Sequence, residues 1–471
     1  MISLVPARRI NGQVSRRNLM RLGSLGLMGL ALPGRLRAET APPAKATAKN
    51  CIFIFLCGGP SQHDLWDLKQ EAPDGIRSVF KAIDTNVPGI QFGELIPRVS
   101  LHADKLAVIR SMTHDDNGHE RGIARTLLGQ LPPSDDVHVS RHDHPGVGAI
   151  LHRLKGDCGD LPPWVILPRP FTTGGPPYKG QSAGLLGSAY DPIMLDKEKK
   201  GSLSEREVKL DALRLPEGFD QTRFEARRSL LDLPHDAAAR GPDSTETSLS
   251  DYYSKALNLL SSGEANRAFD LRLEPLEVRD RYGHNEYGQS FLLARRLVEA
   301  GVRVVNVFWT FFDEKGCQFN LWDNHGVASD VCGIDGQLTG VEMLKHDYCC
   351  PSFDRSFSAL LEDLEERGLL DETLVAVAGE FGRTFRINQT SGRDHWAPCY
   401  TQLLAGGGIR GGQVYGASDG VGAYVKDSPV TPDDFTATIH HAFGLSAETL
   451  IYDQLGRPLR ISQGTPVTPL F

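Results

Sequence analysis

Long apolar runs are missing from this 471-residue chain. Beyond one stretch of about a dozen residues near the start, nothing approaches the roughly 18 that a membrane-crossing helix needs. No membrane span is therefore expected once that start is removed. Cysteine is sparse, eight residues in all, and no C-x-x-C pair of pairs occurs, which argues against a thiolate zinc site. Basic residues are outnumbered as well: 51 Lys and Arg stand against 59 Asp and Glu, and seven of the arginines fall in the first 38 residues. Those 38 hold no lysine and no acid, so the remainder carries 44 bases against 59 acids, net −15. Such a surface repels phosphate backbones, and DNA or RNA is not an expected partner. No internal repeat is evident.

What the start does contain is a targeting pattern. "SRRNLMR" (15–21) precedes the mild apolar run "LGSLGLMGLALP" and the exit "GRLRAETAPPAKATA". A charged head, a short apolar stretch and small residues make an export signal. The paired arginines in an S-R-R-x-L-x-R setting point to the twin-arginine translocation machinery, which carries folded proteins. A general secretory signal that happens to hold two arginines is the alternative. Residues 1–38 are thus expected to be the signal, 39–50 a linker, and the mature protein periplasmic or extracellular. Disulfides are permitted there, and Cys317, Cys332, Cys349 and Cys350, clustered in one segment, are the ones expected to bridge.

From residue 51 onward, strand-like runs alternate with helix-like ones. "CIFIFLC" (51–57), "KLAVIR" (105–110), "PPWVILP" (162–168), "VRVVNVFW" (302–309), "TLVAVAG" (373–379) and "YTQLLAGG" (400–407) read as buried strands. "HERGIARTLLG", "QSFLLARRLVEAG", "FDRSFSALLEDLEERG" and "TPDDFTATIHHAFG" have helical spacing. The alternation implies an α/β fold, a central mostly parallel sheet flanked by helices. Between about 170 and 285 proline, glycine and charge dominate, which reads as an insertion, a cap over one end of the sheet.

Ligands of open parallel sheets bind beyond the carboxyl ends of the strands. The first strand leads into "GGPSQHDLWD", with Asp64, and the second into "SMTHDDNGHE", with His114 and His119. "LWDNHG" supplies Asp323 and His325, "EFGRT" supplies Glu380 and Arg383, and "GRDHW" supplies Asp394 and His395. Any one such pair is more often an ordinary turn. Five segments converging on one rim suggest a divalent metal site. Mixed carboxylate and imidazole donors suit zinc, manganese or iron, one or two ions, where magnesium or calcium would prefer oxygen alone.

The phrases "FLCGGPSQHDLWDLKQEAPDGIRS", "SMTHDDNGHE", "WDNHG", "GEFGRTFRIN", "GRDHWAPCY" and "LLAGGGIRGGQVYGASD" resemble those of a bacterial exported family, domain of unknown function 1501, over nearly all of the chain after residue 50. That family is placed in the alkaline-phosphatase and sulfatase superfamily. The resemblance implies an alkaline-phosphatase-like fold and the hydrolysis of phosphate or sulfate esters at one or two metal ions. It also implies metal-ligand roles for Asp64, Asp323, His325, Glu380, Asp394 and His395. His119 falls where the superfamily has its nucleophile, and Glu380–Phe381 where an Asp–His pair is usual. Neither Ser, Thr nor Cys occupies position 119. Ser111 or Thr113 would then be the nucleophile, or a metal-activated water, with His119 or His114 as acid or base and Arg383 neutralising an anionic ester. A relative that has lost catalysis and binds a surface glycan or protein is the competing expectation. "GGGIRG" (406–411) fits a dinucleotide fingerprint by its letters alone, since no helix pattern follows.

Overall fold

The run Asn50–Leu56 forms β1 at the centre of an eight-stranded sheet. The others, in chain order, are β2 (Leu106–Met112), β3 (Trp164–Leu167), β4 (Ile193–Met194), β5 (Val304–Trp309), β6 (Thr373–Ala378), β7 (Tyr400–Ala405) and β8 (Gln413–Tyr415). Their order across the sheet is β8-β2-β7-β6-β1-β5-β3-β4. The computed structural model describes residues 45–131, 136–172, 175–194, 262–312, 318–319, 322–326 and 338–471. The expected export signal, the first half of the linker, Cys317, Cys332 and the middle of the expected cap lie outside these residues.

Alternation along β1 shows why the strands read as continuous apolar runs. Ile52, Ile54 and Leu56 enter the core on one face, while Cys51, Phe53 and Phe55 enter the core on the other. Helices α4 (Glu286–Glu299) and α5 (Cys350–Glu366) cover the first face. Phe353, Phe357, Leu360, Leu361 and Leu364 of α5 are fully buried, each such side chain stabilising by about 1.5–3 kcal/mol. On the second face lie α2 (His119–Leu128), α3 (Val147–Lys155) and α6 (Pro432–Ala442). Thr431 caps α6 in a capping box with Asp434. One further helix, α1 (Gln62–Leu65), is a single turn after β1.

Seven strands run parallel and β7 runs against both its neighbours. This reversal positions the site. Tyr400, the first residue of β7, pairs with Met112, the last of β2. The segment before β7, which holds Asp394 and His395, therefore reaches the rim where the parallel strands end.

Two expectations change and a third holds. The stretch 170–285 is in part core: β4 joins the sheet edge, and Ala265, Ala268, Phe269 and Tyr282 pack into the first core. The apolar spacing there is interrupted by glycine and proline, which hid it. Cys349 and Cys350 are buried free thiols. Finally, strand β8 follows the glycines at 406–408, which turn at positive φ, so the loop has no helix to hold a pyrophosphate.

Candidate metal centre

Asp323 is the hub of the rim. Its Oδ2 is 3.1 Å from His119 Nε2 and 3.2 Å from His325 Nε2, and its Oδ1 is 3.1 Å from His395 Nε2. The Arg383 guanidinium also donates to Oδ1. These residues come from four chain segments: the start of α2, the loop after β5, the residues after β6 and the ribbon before β7. In that ribbon Gly382–Arg383 pairs with His395–Trp396.

The outer nitrogens of two imidazoles are held from behind. Glu380 Oε1 lies 2.8 Å from His119 Nδ1, and the same oxygen accepts the Gly58 N–H at 2.8 Å. His395 Nδ1 faces the Asn117 carbonyl at 3.0 Å. With each Nδ1–H donated outward, both Nε2 atoms face Asp323. On His119 that nitrogen carries a proton to the carboxylate in the metal-free protein, the proton a bound ion would replace. Such backing by carboxylates and carbonyls is what orients metal-binding histidines. Ligand atoms of His119, Asp323 and His395 all lie within 4.8 Å of one another. Glu380 is fully buried behind His119, and its Oε2 has no hydrogen-bond partner among the described residues. The two imidazoles and one carboxylate fit a divalent ion.

Electrostatics agree with a site built around negative charge. Burial alone would raise the Asp323 carboxyl, but the Arg383 charge and the three imidazole bonds outweigh it and hold it well below its ordinary value. Burial alone would lower His119. Its bonds to Asp323 and Glu380 prevail, and it rises from 6.5 to about 9. His325 is raised chiefly by its bond to Asp323. Phe381, fully buried, forms the apolar wall, its ring centroid 5.0 Å from His119 and 4.7 Å from His395.

The profile of a family described as "Protein of unknown function (DUF1501)" matches residues 48–471. The chain belongs to the DUF1501 family. Solved structures similar to this DUF1501 chain include the lipoteichoic acid synthase LtaP from Listeria monocytogenes, at 8% identity and a TM-score of 0.37, covering 91% of this chain and 79% of that one. The phosphonate monoester hydrolase SpPMH from Silicibacter pomeroyi matches at 12% identity and a TM-score of 0.36, over 89% and 76%. The PsFucS1 sulfatase from Pseudoalteromonas sp. matches at 12% and 0.36, over 92% and 72%. No curated protein matches.

Of the candidates read from the DUF1501 sequence, His119, Asp323, His325, Glu380, Arg383 and His395 meet at the rim. Three others stand apart, and two change their role. Asp64 is buried in a separate network: its Oδ2 meets Arg393 Nε at 3.1 Å and Ser61 Oγ at 2.5 Å, and its Oδ1 accepts from Ser78 at 2.8 Å. Burial would raise its carboxyl, yet Arg393 and the serines lower it, so every part of it is already committed inside the protein. Asp394 is exposed and accepts from Asn388 at 3.0 Å, because it alternates with His395 along the ribbon. His114 Nε2 donates to the Glu380 carbonyl at 2.6 Å, and burial pushes its pKa down to about 4. Its ring is neutral near neutral pH, with its one N–H held by the Glu380 carbonyl.

His119, expected as nucleophile or acid–base, has both ring nitrogens on carboxylates. Arg383 is fully buried and cannot reach a substrate. Its Nε donates to Gly59 O at 2.9 Å, its Nη1 to Arg393 O at 3.1 Å, and its Nη2 to Gly58 O as well as Asp323. Ser111 is fully buried beneath Gly416, which excludes it as a nucleophile.

Sequence reasoning missed the backbone groups, Gly58 N–H and the Asn117 carbonyl, and the Arg393 anchor of Asp64. The pair Gly58–Gly59 after β1 was the available signal. Gly59 has φ +80°, and a Cβ there would sit 2.7 Å from the Phe381 ring.

Proposed function

We propose that this DUF1501 protein is a metal-dependent hydrolase of phosphate or sulfate esters, exported through its twin-arginine segment and acting outside the cytoplasm. The observation that carries the reading is the convergence of His119 Nε2 and His395 Nε2 on Asp323, each ring fixed from behind through Nδ1. His119, Asp323 and His395 would hold the ion, with Glu380 and His325 adjoining. A bound divalent cation supplies Lewis acidity toward an ester oxygen and brings the pKa of water near neutrality.

The chain's own residues prepare the place. Gly58 N–H and the His114 ring hold Glu380, Glu380 and Asn117 set the two imidazole tautomers, and Phe381 keeps water from one side. With Ser111 buried and His119 fully engaged, neither supplies a nucleophile, which leaves the half-buried Thr113 hydroxyl or a water molecule to attack. The same observation favours the second reading, a binding protein without turnover.

A screen of aryl phosphates and aryl sulfates with the metal-loaded, full-length mature protein tests the proposal, alongside metal analysis of His325→Ala and His395→Ala. Turnover that disappears with chelation and falls at least about 100-fold in H395A supports the hydrolase. Stoichiometric metal with no turnover on either ester class leaves the binder, and a metal-free protein removes both metal readings.

A further inference from the structure

The Arg383 guanidinium is fully buried, yet among the described residues only one of its partners is anionic. Four oxygens surround it: the carbonyls of Gly58, Gly59 and Arg393, and Asp323 Oδ1. Two of these carbonyls lie at the tip of the central strand, where the backbone turns at Gly58 (φ 118°) and Gly59 (φ 80°). Three carbonyls and one carboxylate are the donor set of a hard divalent cation, and no imidazole is among them.

We infer that Arg383 is the second cation of this centre: its side chain fills an all-oxygen cation position, so the site takes up one divalent ion per chain, on the imidazole side of Asp323. The inference rests on the metal site proposed above. The guanidinium is permanently charged and forks to several acceptors at once, which suits it to a position a hydrated ion would otherwise take. Asp323 Oδ1 is shared between Arg383 and His395, while Oδ2 faces His119 and His325. One carboxylate thus bridges a fixed organic cation and an imidazole pair. A second divalent ion on the Arg383 side would displace a guanidinium that has no route to solvent and would face its charge at contact distance. Arg383 is accordingly a positioning residue for Asp323, in place of the substrate-binding group its sequence context suggested.

The test uses the full-length mature protein, stripped with chelator, reloaded with excess zinc or manganese and desalted, with metal counted per chain. One ion is expected, and two would overturn the inference. No ion at all would instead remove the metal reading beneath it, so the two failures are distinct. Arg383→Ala opens the four-oxygen position. Its thermal midpoint is expected to fall in metal-free buffer and to recover by several degrees in millimolar calcium, with one calcium bound per chain, while the wild-type midpoint does not move. An ion-pairing role alone would give the same fall with no calcium dependence, and a folded R383A indifferent to calcium overturns the surrogate role. Arg383→Lys, which keeps the charge, is expected to stay indifferent to calcium. If R383A does not fold in either buffer, the wild-type count decides.

Discussion

Alkaline pH applied to the metal-free protein is the sharpest probe of the hub. His119 lies between Asp323 and Glu380, 26% of its side chain exposed, and holds its proton up to about pH 9 against an ordinary 6.5. Because the folded value is the higher one, the stabilisation is complete below about pH 6.5 and disappears as the pH rises through about 9. At about 1.4 kcal/mol per pH unit the interval amounts to about 3 kcal/mol. Asp323, held well below its ordinary value, expresses the same contact from the other partner, so the two are not added. His325 is also raised and titrates in the same direction, which makes the comparison with His119→Gln necessary. Urea unfolding of chelator-treated protein at pH 6 and pH 10 measures the loss. Wild type should lose about 3 kcal/mol more than H119Q. Equal losses in the two proteins would refute the reasoning, because the proton would then not be shared between those carboxylates. A saturating divalent ion takes the place of the proton on Nε2 and should abolish the alkaline loss.

Other outcomes follow from the same contacts. Asp64→Asn strips the buried Arg393 of its counter-charge and should cost about 3–5 kcal/mol in denaturant unfolding, while metal per chain is unchanged. His114→Ala leaves the Glu380 carbonyl without its donor. A loss of about 1–3 kcal/mol is expected by the same measurement, with no shift in the pH profile of any turnover, since a ring titrating at about 4 is already neutral there and does not change charge. Phe381→Ala removes the wall beneath two imidazoles and should destabilise by about 3–5 kcal/mol, read as a fall in thermal midpoint.

The sequence by itself determined the layers of this protein and the residues available to its rim. Continuous apolar runs such as Cys51–Cys57 have no polar face to give to water, so they had to become strands covered on both sides. Polar segments that follow such strands had to collect at one edge, which is why His119, Asp323, His325, Glu380, Arg383 and His395 were legible as candidates before any coordinates. Tertiary structure alone decided which of them meet and in what capacity. The reversed direction of β7, invisible in the six letters YTQLLA, brings the start of that strand and hence His395 to the rim. Asp64, near the rim in sequence, is claimed by an arginine 329 positions away. Arg383 looks like a substrate clamp in "EFGRT" and becomes an interior cation once Gly58, Gly59 and Arg393 close around it. Periodicity records which face of an element is buried. Partners brought together by chain reversal and distant loops leave no period to read, and only packing assigns them.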